Sequence, residues 1–505
     1  MSQQVNDERR PLLENQHQQQ NVHAEQESQS QQQQPQQPQQ QPKKISFQEN
    51  DPSNPRNWPS SQKWLQVLQI VLVAFVCPSA SSIFATAITE ISQDLNTTTR
   101  LTLLGQTGFV CMLGIGPLFL APMSETLGRR PVFLMGLAGF TILQIPTALV
   151  KNLARWAVLR TLAGFFGSVG VANGGGSISD MFETHKRAIV LGVYLVAPLL
   201  GPSIGPLVGG LIVAVMDWRW IFWVMFIASA FVTVLCYFTL YETRALTILE
   251  QRKRKLEREN PETKYEIEGD QSGNQSLLGK IGANSTRAIR ILTTQPIVMI
   301  MSLYQALVFS SMYSLYSQYS TIWSAPPYEF STMQIGLAYL GPAIGFCFTA
   351  IFIVLFIDRL YRYLAKRHGD EGQPEYRLPM ANVGAFLLPI SLFWFGWTIE
   401  KDLTWPVPLA ATLLFGASQV SIFNTIQTYY IDAYEQHAAS AVAAGAFLRS
   451  VVGGIVPLFV GGMFDALGYG WGMSVFGILS VILMPAPAVF YWVGRRLREK
   501  VPFKG

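Results

Sequence analysis

The chain has 505 residues, 49% of them apolar and only 14% charged, with a mean hydropathy of +0.24 and a formal net charge of +5. That balance excludes a string of soluble domains or a nucleic-acid binder and fits a polytopic membrane protein. The four cysteines, Cys77, Cys111, Cys236 and Cys347, lie inside apolar runs without metal-type spacing, so they read as buried thiols, with neither a disulfide framework nor a metal site expected.

Residues 1–60 are rich in Gln and Pro with few apolar side chains, and such a segment is expected to be a disordered cytosolic tail. It has no signal-peptide core, which leaves targeting to the first span. Within it, Glu8, Leu12 and Leu13 fit the acidic dileucine pattern read by sorting adaptors on cytosolic tails. The turn-rich stretch Asp51 to Pro59 follows, with Trp58 and Trp64 suited to the membrane interface.

A membrane span needs about 20 mostly apolar residues. Segments that meet this run near 65–88, 103–123, 131–150, 156–179, 187–212 and 218–240, and again near 294–319, 333–357, 380–399, 405–431, 439–463 and 472–494. The fold expected is all-α, with twelve transmembrane helices in two pseudo-symmetric bundles over 61–240 and 294–494. A polar, partly helical cytosolic loop over 241–293 joins the bundles, and 495–505 forms a cytosolic tail. With the N-terminus inside, most of the 37 Lys and Arg fall on the cytosolic side, as the positive-inside rule requires. The sequon at Asn96 then lies in the first external loop and is open to glycosylation, whereas those at Asn274 and Asn284 face the cytosol.

Between the second and third spans, GPLFLAPMSETLGRRP (Gly116 to Pro131) joins two apolar runs through a short charged turn. It resembles the loop motif of the major facilitator superfamily: Gly, three residues, Asp, Arg, any residue, Gly, any residue, two basic residues. Aligned on Gly128, this chain places Glu125 at the acid, Thr126 at the first basic position, Ala121 at the leading Gly, Arg129 after Gly128, and Arg130 with Pro131 at the basic pair. Arg160 with Gly164 and Gly167 in the fourth span is similar to the superfamily's Arg-then-Gly motif. Gly201, Pro202, Gly205, Pro206 and Gly209 in the fifth resemble the antiporter motif of exporters. Together with Trp218 to Trp223 and the stretch from Tyr429 to Arg449, these motifs look like the fungal twelve-span drug:proton antiporter branch. The resemblance implies alternating access, with Glu125, Gly128, Arg129, Arg130 and the Gly/Pro span serving gating and conformational coupling. Glu125 and Arg129 are expected to form part of the cytosolic gate that holds the outward-facing state. For Arg160 it implies proton or helix coupling.

Charges at bilayer depth are costly and mark function by default. Two arginines, Arg160 and Arg449, and no acid fall inside the spans. All five histidines lie in tails or cytosolic loops, which leaves the span-end acids Asp180 and Asp432 as the coupling candidates beside Arg160. The cavity is expected to be lined by Ser82, Gln305, Tyr313, Tyr316, Gln419, Asn424, Gln427, Tyr430 and Arg449, which offer hydrogen bonds and ring faces with one fixed charge. No catalytic constellation, metal set or cofactor motif is present, so an enzyme is not expected. The expected function is proton-coupled export of small organic compounds by a monomer in the lipid bilayer. The plasma membrane is the expected address, or the vacuolar membrane if the dileucine is read. An organic-acid exporter using Arg160 or Arg449, and a non-transporting sensor or scaffold, remain as alternatives.

Overall fold

The computed structural model describes residues 43–261, 263, 265–268, 277–369, 372–434 and 437–503. Glu8, Leu12, Leu13 and Asn274 lie outside the described residues, as do His17 and His23 and the side chains of His185, Asn284 and Asp358. The chain forms two compact units, a small one of residues 1–46 and 249–269 and a large one of residues 47–248 and 270–505. In the small unit, strands β1 (Lys43–Ile45) and β2 (Tyr265–Ile267) pair in parallel, Lys43 opposite Tyr265 and Ile45 opposite Ile267. The tail is therefore structured before residue 60: after β1, Asp51 accepts from Ser53 N at 2.9 Å and Asn54 caps a short turn at Pro55–Asn57.

The first half contains α1 (Ser60–Ser79), the short α2 (Ile88–Asp94) and α3 (Thr99–Thr102), then α4 (Leu104–Leu127), α5 (Arg129–Ala148), α6 (Leu153–Gly167), α7 (Val169–Met181), α8 (Thr184–Val213) and α9 (Arg219–Thr239). Two helices, α10 (Ala245–Glu259) and α11 (Leu277–Thr294), occupy the central loop. The second half follows as α12 (Pro296–Ser324), α13 (Thr332–Ala338), α14 (Leu340–His368), α15 (Pro379–Glu400), α16 (Pro406–Ala433), α17 (Ala438–Ile455), α18 (Pro457–Leu483) and α19 (Ala486–Lys500). Among the described residues, 11 helices are long and apolar enough to cross a membrane. The fourth predicted span is missing from that count because Arg160 and the run Asn173 to Gly176 make it less apolar than the others; Ser168 divides it into helices of 15 and 13 residues. The last two predicted spans are also redrawn, with breaks at Val456 and at Gly468, whose φ of +75° no other residue type adopts readily.

The halves form an all-α membrane fold of two six-helix bundles, and its outer surface is apolar. Val215, Phe238, Phe348, Ile482 and Trp492 are all exposed, an arrangement that only a hydrocarbon solvent covers without penalty. The same belt explains a correction to the cysteines. Cys77 and Cys236 are buried and Cys111 is half-buried, but Cys347 is exposed, next to Phe348 on the outer face of α14.

Candidate functional site

Local chemistry first fixes the seam between α1 and α8. Along α8, Gly201, Gly205 and Gly209 recur every four residues and therefore share one face. A Cβ at Gly201 would lie 2.7 Å from the Phe75 carbonyl oxygen and one at Gly205 would lie 2.5 Å from that of Ser79, so glycine lets the two backbones touch. Pro198, Pro202 and Pro206 sit inside the same helix, and each removes the N–H that would serve the carbonyl four residues earlier. Pro206 thus leaves the Pro202 carbonyl free, and Ser82 Oγ donates to it at 2.6 Å. Ser82, expected in the cavity, is instead committed to repairing the helix break.

The second construction is the charged turn that opens α5. Gly128, at φ +104°, ends α4 and reverses the chain. Glu242, just beyond α9, accepts from the backbone N–H of Arg129 at 2.9 Å and of Arg130 at 3.1 Å, capping the exposed donors of the α5 N-terminus. Arg129 Nε pairs with Asp180 Oδ2 at 3.2 Å and its Nη1 donates to Ser124 Oγ at 2.7 Å, while Thr243 Oγ1 donates to the same Asp180 oxygen at 3.4 Å. Arg130 donates to the Tyr237 carbonyl at 2.9 Å. Glu125 and Arg129 do not pair with each other. Gly128 breaks the helix between them, so Arg129 turns inward to Asp180. Glu125 lines a cleft of about 220 Å³ between the ends of α4 and α17, with Arg287 of α11, His437 and Ala438 on its other walls. Burial, and then the positive Arg287, push the His437 imidazole below its ordinary value.

The second half repeats the latch. Arg377, just before α15, pairs with Asp432 at the end of α16 at 2.9 Å. Glu375 accepts from Arg498 of α19 through both oxygens, at 2.8 and 2.9 Å. The sequence reading passed over Glu242, Glu375, Arg377 and Arg498. The signal available for Arg377 was an internal repeat, an Arg followed 51 or 55 residues later by its Asp. Asp180 and Asp432 are thus both held in ion pairs near helix ends. At the opposite ends Asp94 is taken by Arg219 at 2.6 Å, and burial followed by the neighbouring Asp217 charge pushes the Glu90 carboxyl above its ordinary value.

Inside the bundle the two arginines differ. Arg160 donates to the Ala80 carbonyl, and its guanidinium carbon lies 4.5–5.8 Å from the ring centres of Phe84, Phe109, Trp156 and Phe222. That aromatic cage compensates a buried cation. Arg449 is 5% exposed and stands over Phe309 and Phe423, at 5.0 and 4.9 Å. The other cavity candidates separate by what they already bind. Tyr313 hydrogen-bonds Ser81 at 3.1 Å, Tyr316 pairs with Ser203, and Tyr430 meets Ser302 at 2.9 Å. Gln305, Gln419 and Asn424 are buried with both amide atoms unpartnered, and Gln427 has an unpartnered Oε1. Asn424 faces a separate small pocket with Ile189, Gly192 and Ile353.

The halves meet around this centre. Thr107 Oγ1 donates to the Gly454 carbonyl at 2.7 Å, and Arg100 Nε to that of Leu458 at 2.9 Å. At the other face Ser285 of α11 donates to the Leu118 carbonyl at 3.1 Å. Asn96 is exposed in a tight turn at φ +49°. Glycosidase treatment of the expressed protein should therefore sharpen its gel band, and Asn96→Gln should remove the effect.

Comparison with known proteins gives a consistent picture. The family model described as Major Facilitator Superfamily matches residues 70–457. The chain is 35% identical over 455 residues to a protein named MFS transporter cpaT of Aspergillus oryzae, covering 89% of this chain and 90% of that one. It is 36% identical over 454 residues to one named efflux pump vrtL of Penicillium aethiopicum, covering 89% and 88%. The xylose transporter XylE from E. coli, in a partially occluded inward-open conformation, superposes with a TM-score of 0.63 at 16% identity, covering 86% of this chain and 98% of that one.

Proposed function

The chain belongs to the Major Facilitator Superfamily, and from that premise we propose that it exports small organic compounds in exchange for protons. It is a multi-pass membrane transporter and not an enzyme. The observation that carries the direction of transport is the α8 seam. Three glycines on one face press against α1 while three prolines break the same helix, which gives a close-packed but bendable hinge of the kind an exporter's antiporter motif resembles. The relative named an efflux pump supports the same direction.

In this reading the halves rock about a midplane site. Arg129–Asp180 and Arg377–Asp432 hold the cytosolic ends of each half rigid. Glu125 faces α17 across the cleft, where a carboxylate favours a helix N-terminus. Protonation of Asp180 or Asp432 would release its arginine, and this links proton entry to movement of the helix ends. The termini and the 241–293 loop are assigned to the cytosol, 61–240 and 294–494 to the two bundles, and the working unit is a monomer in the bilayer.

The test is accumulation of a panel of amphiphiles and organic acids in cells with and without the protein. Lower accumulation with the protein, abolished by a protonophore, is expected; equal accumulation across the panel sinks the proposal. The plasma membrane is the proposed address, with the vacuolar membrane if the dileucine is used. Changing Leu12 and Leu13 to Ala should move a tagged protein from vacuolar to plasma membrane in the second case, and an unchanged distribution retires the signal.

A further inference from the structure

Arg449 is a buried guanidinium with no counterion among the described residues. Nε and Nη1 are sealed from solvent and have no acceptor, and the guanidinium makes no hydrogen bond or ion pair among the described residues. The groups that act on its charge are the hydroxyls of Tyr194, Tyr313 and Tyr430, and no carboxylate is among them. Those hydroxyls are engaged elsewhere: Tyr194 donates to the Gly170 carbonyl at 2.8 Å, and Tyr313 and Tyr430 bond Ser81 and Ser302. With those hydroxyls committed, the cation is left unanswered among the described residues. A buried charge without a partner is strongly unfavourable, and two ring faces offset only part of that penalty.

The surroundings show what would complete it. On α16, Gln419, Phe423 and Gln427 share one face at four-residue spacing, and the Phe423 ring lies 4.9 Å from the Arg449 guanidinium and 5.9 Å from the Phe309 ring, tilted against it. On α12, Gln305 lies one turn before Phe309, and its Oε1 faces Gly445, which is one turn before Arg449 on α17. The amides of Gln305 and Gln419 have both polar atoms unpartnered and Gln427 has one. The site therefore combines one cation, flat aromatic walls and unspent amide donors and acceptors, and it lies where Tyr194 of the first half meets the second. Arg160 also has Nε and Nη1 unpartnered, but it differs in donating to the Ala80 carbonyl and in being walled by four aromatic rings.

We infer that Arg449, with Gln305, Gln419 and the faces of Phe309 and Phe423, binds an aromatic monocarboxylate carrying hydroxyl or carbonyl substituents, the ligand's carboxylate serving as the missing counterion. This rests on the transporter reading above and names its substrate class. The carboxylate accepts two N–H donors from the planar fork, the ring lies among the aromatic walls, and the substituents meet the glutamines.

The test uses the purified full-length protein and a matched pair of probes, 6-hydroxy-2-naphthoate and its neutral amide, with binding followed by quenching of tryptophan fluorescence. The acid should bind at least tenfold more tightly than the amide. Arg449→Gln should erase that preference by weakening the acid alone, and Arg449→Lys, which keeps charge without the fork, should fall between. An amide that binds as tightly as the acid, or a preference that survives Arg449→Gln, overturns the assignment. The acid-over-amide ratio of the unchanged protein is decisive by itself should a variant not fold. An acid that binds without being exported would refute the exporter reading and leave this site standing. Export of neutral or cationic compounds with no acid preference would do the reverse.

Discussion

Replacing Gly205 with Val should lower transport at least tenfold while a control substitution elsewhere in the first half does nothing. The Cβ would lie 2.5 Å from the Ser79 carbonyl oxygen and 3.4 Å from the Ile83 Cα, so backbone and not a flexible side chain must give way. Overpacking of this kind costs about 1–3 kcal/mol, and about 1.4 kcal/mol is a factor of ten in an equilibrium. The penalty falls on whichever conformation holds α1 and α8 in contact, so it shifts the balance between states as well as overall stability. Gly175 on α7 is the control. A Cβ there meets only Leu191 at 4.0 Å, and Gly175→Ala should keep full activity. Transport and membrane abundance measured together separate the outcomes: equal activity of Gly205→Val and Gly175→Ala would show that the seam carries no function.

The second large effect is expected at the Arg129 latch. Arg129→Ala leaves Asp180 with only the long bond to Thr243 and removes the donor to Ser124 Oγ, which keeps its own bond to the Ala121 carbonyl. Removing one partner of a mostly buried pair costs about 3–5 kcal/mol, reduced here because the Asp180 side chain is 26% exposed. Transport should fall about tenfold or more with insertion intact. If the pair is the working unit, Arg129→Ala combined with Asp180→Asn should be no worse than Arg129→Ala alone, since the second change removes the stranded charge. Strictly additive losses would show that the two residues act separately.

Much of the fold was legible because a bilayer imposes a single length scale on apolar runs and the backbone must satisfy itself within each one. Polar residues inside those runs stand out for the same reason, so Gln305, Gln419 and Arg449 were readable as interior groups. What escaped depends on partners distant along the chain. Glu242 caps α5 across 113 residues, and nothing local to Tyr241–Thr243 announces that role. Ser82 reads as a cavity hydroxyl until Pro206, on another helix, opens the carbonyl it serves. Glu125 and Arg129 are four apart, the spacing of a helical ion pair, but Gly128 turns the chain between them, so that Arg129 meets Asp180 while Glu125 lines a cleft. Arg160 and Arg449 look alike in sequence. Only packing shows that one is caged by four rings and the other meets two rings and unpartnered glutamines.

The most direct test of proton-driven export is efflux from proteoliposomes holding the purified protein and loaded with a fluorescent organic anion that does not cross lipid unaided, such as a carboxyfluorescein. Acidifying the outside should speed release, carry protons inward in step with it, and fail with a protonophore or with Arg129→Ala. Release that ignores the gradient, or loading of the dye in the same direction as the protons, would contradict the account.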